Sequence, residues 1–263
     1  MVSDVAVIVI ASAGCAPGAT TTALALALHW PRETVLVDAD PNPTQAVLAG
    51  YLGGAVTDPG GLTAIAARHR ARAELDVLSA ALRLPTNEGP DQLRWFLPGV
   101  SHPGAAAVFP PVWTSLAPAL NALHQRQIDA VIDVGRLGGG VPPALLAVAQ
   151  VVLVVTRTSL RDLAAMRVHL PSLQQHHEQL DATAHVAVVV IGEGQPYTGH
   201  EIERVFGLPV WGRLADDPDT AAVYSDGEPP AKRHHRSPLV TSVAHMVEHL
   251  RGRIRPVTVG VSR

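Results

Sequence analysis

The chain has 263 residues, of which 47% are hydrophobic, and its formal net charge at pH 7 is −3. This length suits one large domain or two small ones, and a net charge near zero argues against a generally basic nucleic-acid binder. The single cysteine, Cys15, excludes a disulfide framework and favours a reducing compartment. Because the longest apolar stretch, 145–155, is too short to span a bilayer and the first residues lack the positive charge of a signal peptide, we expect a soluble cytoplasmic protein.

Short apolar runs rich in β-branched residues alternate with Ala- and Leu-rich segments of helical pattern. We predict strands at 5–10, 34–37, 94–97, 130–132, 151–155, 186–191 and 210–212. We predict helices at 20–29, 61–73, 112–125, 160–175, 200–206 and 239–251. Continuous apolar strands are typical of a parallel sheet that is buried on both faces. The alternation therefore predicts an α/β fold, a mostly parallel twisted sheet of about seven or eight strands with helices on both faces, in one domain spanning 1–255 with a flexible tail at 256–263.

The first predicted strand leads into a glycine-containing loop, a run of threonines and a helix, the context that a phosphate-binding loop needs. The loop resembles the deviant phosphate loop of the MinD/ParA family, G-K-G-G-V-G-K-T-T, and Gly18, Thr20 and Thr21 match it. Ala19 stands in place of the phosphate-loop lysine and Gly14 in place of the family's signature lysine. The only lysine of the chain, Lys232, is remote in sequence.

The resemblance implies a three-layer P-loop NTPase-like fold that binds ATP or ADP with Mg²⁺, and it assigns Thr20 to the metal. The residues expected to bind the nucleotide are Gly14, Cys15, Ala16, Pro17, Gly18, Ala19, Thr20 and Thr21. A lysine on the terminal phosphates makes charge-assisted bonds of about 1.5–3 kcal/mol each, so its loss should weaken binding by roughly one to two decades. Pro17 also removes one backbone N–H from the loop. We therefore expect weak nucleotide binding and slow or absent hydrolysis.

Two further aspartate motifs follow in the order that the MinD/ParA family shows. The segment 35–42, VLVDADPN, resembles the family's VLLIDADP switch segment, which assigns catalytic roles to Asp38 and Asp40. The segment 129–135, DAVIDVG, resembles the Walker B strand and assigns Asp133 to the Mg²⁺ site. Arg136 departs from the family pattern; it is either a surface residue or a replacement for the lost cation.

Two later segments extend the resemblance over about residues 3–250. The segment 151–162 is similar to the family's strand that opens onto S-x-R-D, and 208–230 is similar to its GxIPxD…GEP run, which borders the adenine. The asparagine expected to recognise the base is missing, because Ile191, Gly192 and Glu193 occupy that turn. The loop without lysine also resembles the CpaE/TadZ-type relatives, which are localisation factors of pilus and secretion machinery.

Three functions remain open. The first is a homodimeric pseudo-ATPase scaffold for positioning or assembly, with an unknown protein partner in secretion, conjugation, septum or partition machinery. The second is a slow ATP-dependent dimerisation switch in which Arg136, Arg157 or Arg161 replaces the lost lysine. The third, another nucleotide-handling enzyme such as a small-molecule kinase, has no substrate motif in its favour. The locally basic C-terminal segment also leaves open contact with DNA or a membrane surface, although a final helix packed on the sheet is the interpretation that we favour.

Overall fold

Eight strands form one sheet in the computed structural model of the protein, which describes residues 6–14, 18–56, 60–86 and 92–254. The strands are β1 Val7–Ser12, β2 Thr34–Asp38, β3 Leu82–Arg83, β4 Arg94–Leu97, β5 Asp129–Arg136, β6 Val151–Arg157, β7 His185–Ile191 and β8 Val210–Leu214. Their order is β3-β4-β2-β5-β1-β6-β7-β8, and every neighbouring pair is parallel except β3 with β4. The predicted mostly parallel sheet of seven or eight strands is confirmed.

Helices cover both faces of this sheet. They are α1 Ala19–His29, α2 Gly61–Arg70, α3 Pro103–Ala106, α4 Pro110–Ala122, α5 Pro143–Val148, α6 Leu160–Gln179, α7 Gly199–Phe206, α8 Pro218–Ser225 and α9 Pro238–Arg253. Alternate residues of β1 divide between two hydrophobic cores: Val7 and Val9 face one, Ile8 and Ile10 face the other. The first core contains the apolar faces of α2 and α4–α7, and the second contains those of α1, α8 and α9. This two-sided burial explains the continuous apolar strands.

The chain reverses its direction across the sheet at β1. After β1 it builds the β2 side of the sheet and returns through β5, and it then builds the other side through β6, β7 and β8. β1 therefore lies between β5 and β6, and in sheets of this type ligands bind outside the carboxyl ends of the strands at this crossover point. The fold places the loop after β1 there.

Helix α1 is held at both ends by features other than a standard side-chain cap. Its first residue follows Gly18, whose φ of +90° lies in the left-handed region that favours glycine. At its other end the buried guanidinium of Arg94 donates hydrogen bonds to the carbonyl oxygens of Leu28, Trp30 and Arg32. A cation at a helix C-terminus also interacts favourably with the helix dipole. β4 thus fixes the helix that carries the phosphate loop.

The predicted elements are all found, with small differences at their ends, apart from residues that lie outside the described ranges. The sequence did not predict α3, α5 and α8, which are short and begin at prolines, nor β3 and the π-helical turn Val47–Tyr51. Helix α6 continues to Gln179, beyond the predicted 175, although Pro171 lies within it. No helix in the described ranges is long and apolar enough to cross a membrane. Residues 255–263, and with them the predicted tail 256–263, lie outside the described part of the chain.

Candidate functional site

The carboxyl ends of β2 and β5 and the N-terminus of α1 bring three of the predicted site residues together. Asp38, the last residue of β2, is the register partner of Asp133 in the second half of the adjacent parallel strand β5. The Thr20 hydroxyl, in the first turn of α1, donates a hydrogen bond of 2.5 Å to Oδ2 of Asp133. The other oxygen of that carboxylate, Oδ1, accepts from the backbone N–H of Gly135 at 2.9 Å. The predicted metal-site pair, Thr20 and Asp133, is thus in direct contact.

Two carboxylates at this edge lie in surroundings that disfavour their charged forms. Burial, together with the charge of Asp133, raises the pKa of Asp38 to about 7, against the opposing effect of the hydrogen bond from the backbone N–H of Asp40. Burial likewise raises the pKa of Asp133 to about 6, against the bonds from Thr20 and Gly135. Within the described residues neither carboxylate forms a salt bridge. The edge therefore holds negative charge without a protein cation to balance it.

Glycines make room for the carboxyl groups of the switch-like segment. A Cβ at Gly99 would lie 2.7 Å from Cγ of Asp38, and a Cβ at Gly135 would lie 2.2 Å from Cγ of Asp40. Asp40 in turn accepts a hydrogen bond of 2.8 Å from the backbone N–H of Asn42, which fixes the turn. The role of Gly99 is not visible in the sequence, because its closeness to Asp38 depends on the pairing of β4 with β2.

The phosphate-loop candidates are described only in part. Cys15, Ala16 and Pro17 lie outside the described residues, so their assignment stays a prediction. Gly18 caps α1, Ala19 is its first residue and is 7% exposed, and Thr21 is partly exposed in the same turn. Gly18 and Ala19 thus directly precede Thr20, whose hydroxyl contacts Asp133.

Gly14, at the position of the family's signature lysine, packs against helix α6. A Cβ built on Gly14 would lie 2.4 Å from Cβ of Ala165, which is closer than side-chain atoms approach one another. A larger side chain at this position requires α6 to shift. The sequence alone gave no sign of this contact, since 151 residues separate the two positions.

The side chains at this edge offer oxygen groups that suit a magnesium–nucleotide complex, but they include no lysine. A hydroxyl and a carboxylate are the hard oxygen groups that Mg²⁺ prefers, directly or through water, alongside phosphate oxygens. In the described residues there is no group of three or more His, Cys, Asp and Glu side chains that could hold a metal ion. Lys232 is exposed in the segment between α8 and α9. Ala19 occupies the position that the resemblance assigns to the phosphate-loop lysine.

The arginines considered as replacements occupy different environments. Arg157 Nη1 forms a salt bridge of 2.7 Å with Oδ2 of Asp216, at the mouth of a cavity of about 190 Å³ beside the start of α1. Arg136 is exposed at the end of β5, and its Cα is the register partner of Ser12, the last residue of β1 before the loop. Arg161 is exposed in the first turn of α6. Of these three, Arg136 lies on the strand that carries Asp133.

Comparisons with known proteins agree with this geometry at the level of the fold. No family model matches the chain, and no curated protein matches it in sequence. A ParA family ATPase from Chlorobium tepidum superposes with a TM-score of 0.71 at 15% identity, covering 94% of this chain and 99% of that one. The MinC:MinD cell division protein complex of Aquifex aeolicus superposes with a TM-score of 0.69 at 16% identity, covering 96% of this chain and 98% of that one. The septum site-determining protein MinD of Pyrococcus horikoshii, complexed with Mg-ADP, superposes with a TM-score of 0.67 at 15% identity, covering 94% of this chain and 96% of that one. The chain has the fold of the MinD and ParA ATPases. At these identities the likeness concerns the fold alone, so the function is argued from the site.

Proposed function

We propose that this chain is a MinD/ParA-like positioning or partition protein with a degenerate phosphate loop, which binds a Mg²⁺–nucleoside triphosphate weakly and hydrolyses it slowly or not at all. The observation that carries this proposal is the contact of Thr20 with Asp133 beside Asp38, in a site where Ala19 begins the helix. This arrangement keeps the oxygen groups of a nucleotide-hydrolase site. It lacks a lysine for the terminal phosphate.

Each side chain has a definite task in this proposal. A magnesium ion held at this site with the nucleotide would supply positive charge that neutralises the phosphates. Thr20 would offer a hydroxyl lone pair to a magnesium ion while its O–H group continues to donate its hydrogen bond to Asp133, and the Asp133 carboxylate would accept hydrogen bonds from water around the ion. Asp38, with its pKa of about 7, orients a water molecule for attack and accepts hydrogen bonds from it, and Asp40 holds the turn that positions Asp38. Without a cation on the leaving phosphate these groups supply only part of the stabilisation that fast hydrolysis needs.

The dimer that we propose does not depend on nucleotide. In the family the signature lysine reaches across the dimer, and here the corresponding residue, Gly14, has no space for a side chain because of Ala165. We therefore propose a cytoplasmic homodimer, peripheral to a membrane or nucleoid, that serves as a scaffold for an unknown partner in secretion, conjugation, septum or partition machinery. The MinC:MinD complex among the proteins of similar fold supports a protein partner. Sedimentation measurements should give the same dimer fraction with and without Mg²⁺ and triphosphate.

A second candidate function is an active but slow nucleotide-dependent switch. It is favoured by the register pairing of Arg136 with Ser12, which places an arginine beside the first residues of the phosphate loop. In this alternative Arg136 supplies the cation that Ala19 lacks. Turnover by the wild type that disappears in Arg136→Gln, without loss of stability, would favour the switch over the scaffold.

The test of the proposed site is to restore the lysine. Ala19→Lys should bind Mg²⁺–triphosphate about tenfold to a hundredfold more tightly than the wild type, because it adds charge-assisted bonds to phosphate. Ala19→Met, which has similar length without charge, is the matched control and should leave affinity unchanged. Titration calorimetry with the triphosphates of adenine and guanine measures this. Equal affinity of all three proteins would contradict a phosphate site at position 19.

A further inference from the structure

A slot between helices α1 and α9 opens beside the phosphate loop. Gly18 and Thr21 of the α1 end and Arg157, Asp216 and Asp217 of the strand ends border it, and Leu239 and Val243 form part of its apolar wall. Its volume of about 190 Å³ is below the roughly 300–1,000 Å³ of pockets that enclose drug-sized ligands. The slot therefore suits one flat ring system attached to a group outside it. The loop beside it is the proposed site of the phosphates.

The turn after β7 is shaped around the carboxylate of Asp216. Gly192 has a φ of +70°, and a Cβ built on it would lie 3.3 Å from Cβ of Asp216. A side chain at position 192 would thus be strained and would press on the aspartate. This turn is where the sequence resemblance places an asparagine that recognises the base. Because residue 192 is a glycine, the side chain of Asp216 occupies the space beside this turn.

Arg157 and Asp216 are the polar groups at the mouth with bonding capacity to spare. Their one mutual hydrogen bond joins Nη1 to Oδ2, and their side chains are 42% and 30% exposed. In the described part of the chain they form no other side-chain hydrogen bond. The neighbouring Asp217, by contrast, already accepts from the backbone N–H groups of Thr220 and Leu239 and so serves as a helix cap. The remaining N–H groups of Arg157 and the carboxylate lone pairs of Asp216 are available to a ligand.

We propose that this ion pair makes the slot selective for guanine. The inference rests on the proposed nucleotide site and adds the base to it. Side by side, Arg157 and Asp216 present one donor followed by two acceptors. The Watson–Crick edge of guanine presents the complementary row, the O6 acceptor followed by the N1–H and N2–H donors.

Adenine does not fit the same row. In the register that pairs guanine, the N6 amino donor of adenine faces an N–H group of Arg157 and its N1 lone pair faces a carboxylate oxygen. In the register shifted by one position adenine forms two bonds, from N6–H to Asp216 and from Arg157 to N1, and leaves the second carboxylate oxygen without a donor, whereas guanine forms three. A ligand that leaves a polar group of the site facing a like group is rejected. One bidentate pairing of this type discriminates between bases by about tenfold to a hundredfold in affinity. The wild type should therefore bind GTP more tightly than ATP by a factor in that range.

The experiment compares triphosphates that differ in the groups facing the ion pair. Calorimetric titration in Mg²⁺ with GTP, ITP, XTP and ATP should rank GTP first, with ITP weaker because inosine lacks the N2 amino group. Asp216→Asn replaces one acceptor by an amide donor, which complements the C2 carbonyl oxygen of xanthine. That variant should lose affinity for GTP and gain affinity for XTP, and a misfolded protein cannot show such an exchange.

The neighbouring surface ion pair supplies a matched control. Nε of Arg213 lies 3.2 Å from Oε2 of Glu193, and the two side chains are 48% and 34% exposed. Neither residue borders the slot. Glu193→Gln should leave the order of affinities unchanged. Tighter binding of ATP than GTP, equal binding of both, or an Asp216→Asn variant without preference for XTP would overturn the guanine assignment and leave the phosphate site standing. Absence of binding by every triphosphate, in the wild type and in Ala19→Lys, would overturn both.

Discussion

Strand β5 carries two buried aspartates, one at its amino end and one in its second half, in opposite electrostatic surroundings. Asp129, at the amino end, receives hydrogen bonds from Arg32 at 2.8 and 2.9 Å, from the Trp30 indole and from the backbone N–H of Ala6. Asp133, four residues further along the strand, receives bonds from one hydroxyl and one backbone N–H and has Asp38 as its register partner on β2.

Asp129 is paired with a cation and stabilises the fold, whereas Asp133 forms no salt bridge with the described residues. Burial raises the pKa of Asp129 as it does that of Asp133, but every partner of Asp129 is a donor and one is a cation. A buried charge is costly unless it is paired. The carboxyl edge thus retains an electrostatic cost that a bound cation removes, which is the expected state of a ligand site.

The largest expected effect is a difference in stability between the same substitution at the two aspartates of β5. Asp129→Asn should lower the free energy of unfolding by about 3 kcal/mol, because Arg32 loses its partner and the new amide N–H groups face donors. Asp133→Asn should leave stability unchanged or raise it without ligand, because it removes an unpaired charge. Urea unfolding at pH 7.5 measures both. A loss of 2 kcal/mol or more at Asp133, on the order of a broken buried pair, would show that this carboxylate serves the fold.

A second comparison concerns the packing of the phosphate loop against α6. Gly14→Ala should cost about 1–3 kcal/mol, because its Cβ collides with that of Ala165. Ala165→Gly should cost about 1 kcal/mol through helix propensity alone. The double variant should be more stable than the sum of the two losses implies, since it removes the collision. Strict additivity in urea unfolding would mean that the two residues are not in contact.

A smaller effect concerns the pH dependence contributed by Asp38. Its pKa is raised from 3.8 to about 7, so between these values the folded protein holds a proton that the unfolded chain releases. The contribution of this group to stability therefore falls as the pH rises from about 4 to about 7. Asp38→Asn removes that loss, so its melting temperature should exceed that of the wild type by several degrees at pH 8 and by less at pH 5. A difference that does not grow with pH would contradict the raised pKa.

The strands of the sheet are predictable from the sequence because each is a short, continuous apolar run rich in β-branched residues. β4 was predicted at 94–97 and is found there, and β6 extends only two residues beyond the predicted 151–155. Helix α8 was not predicted, because its eight residues show little apolar periodicity and its stability comes from the Asp217 cap and the contact with α1. Local patterns predict elements that bury one face or both, whereas short capped helices depend on their neighbours.

The candidate site divides in the same way. Thr20 and Asp133 could be predicted, because their segments resemble the phosphate-loop and Walker B motifs of the MinD/ParA family, and the structure brings the two side chains into contact. The crowding of Gly14 by Ala165 and the pairing of Arg157 with Asp216 could not, because both join residues far apart in the chain. These two contacts are the basis of the proposals on the dimer and on the base.

The most direct test of the account is the magnesium dependence of triphosphate binding in the wild type and in Asp133→Asn. Calorimetric titrations with GTP and ATP would be run in Mg²⁺ and in EDTA. The account predicts weak binding by the wild type that requires Mg²⁺ and disappears in a fully folded Asp133→Asn variant. Binding that is equally strong in EDTA, or unchanged in the variant, would show that the contact of Thr20 with Asp133 is no part of a metal–nucleotide site.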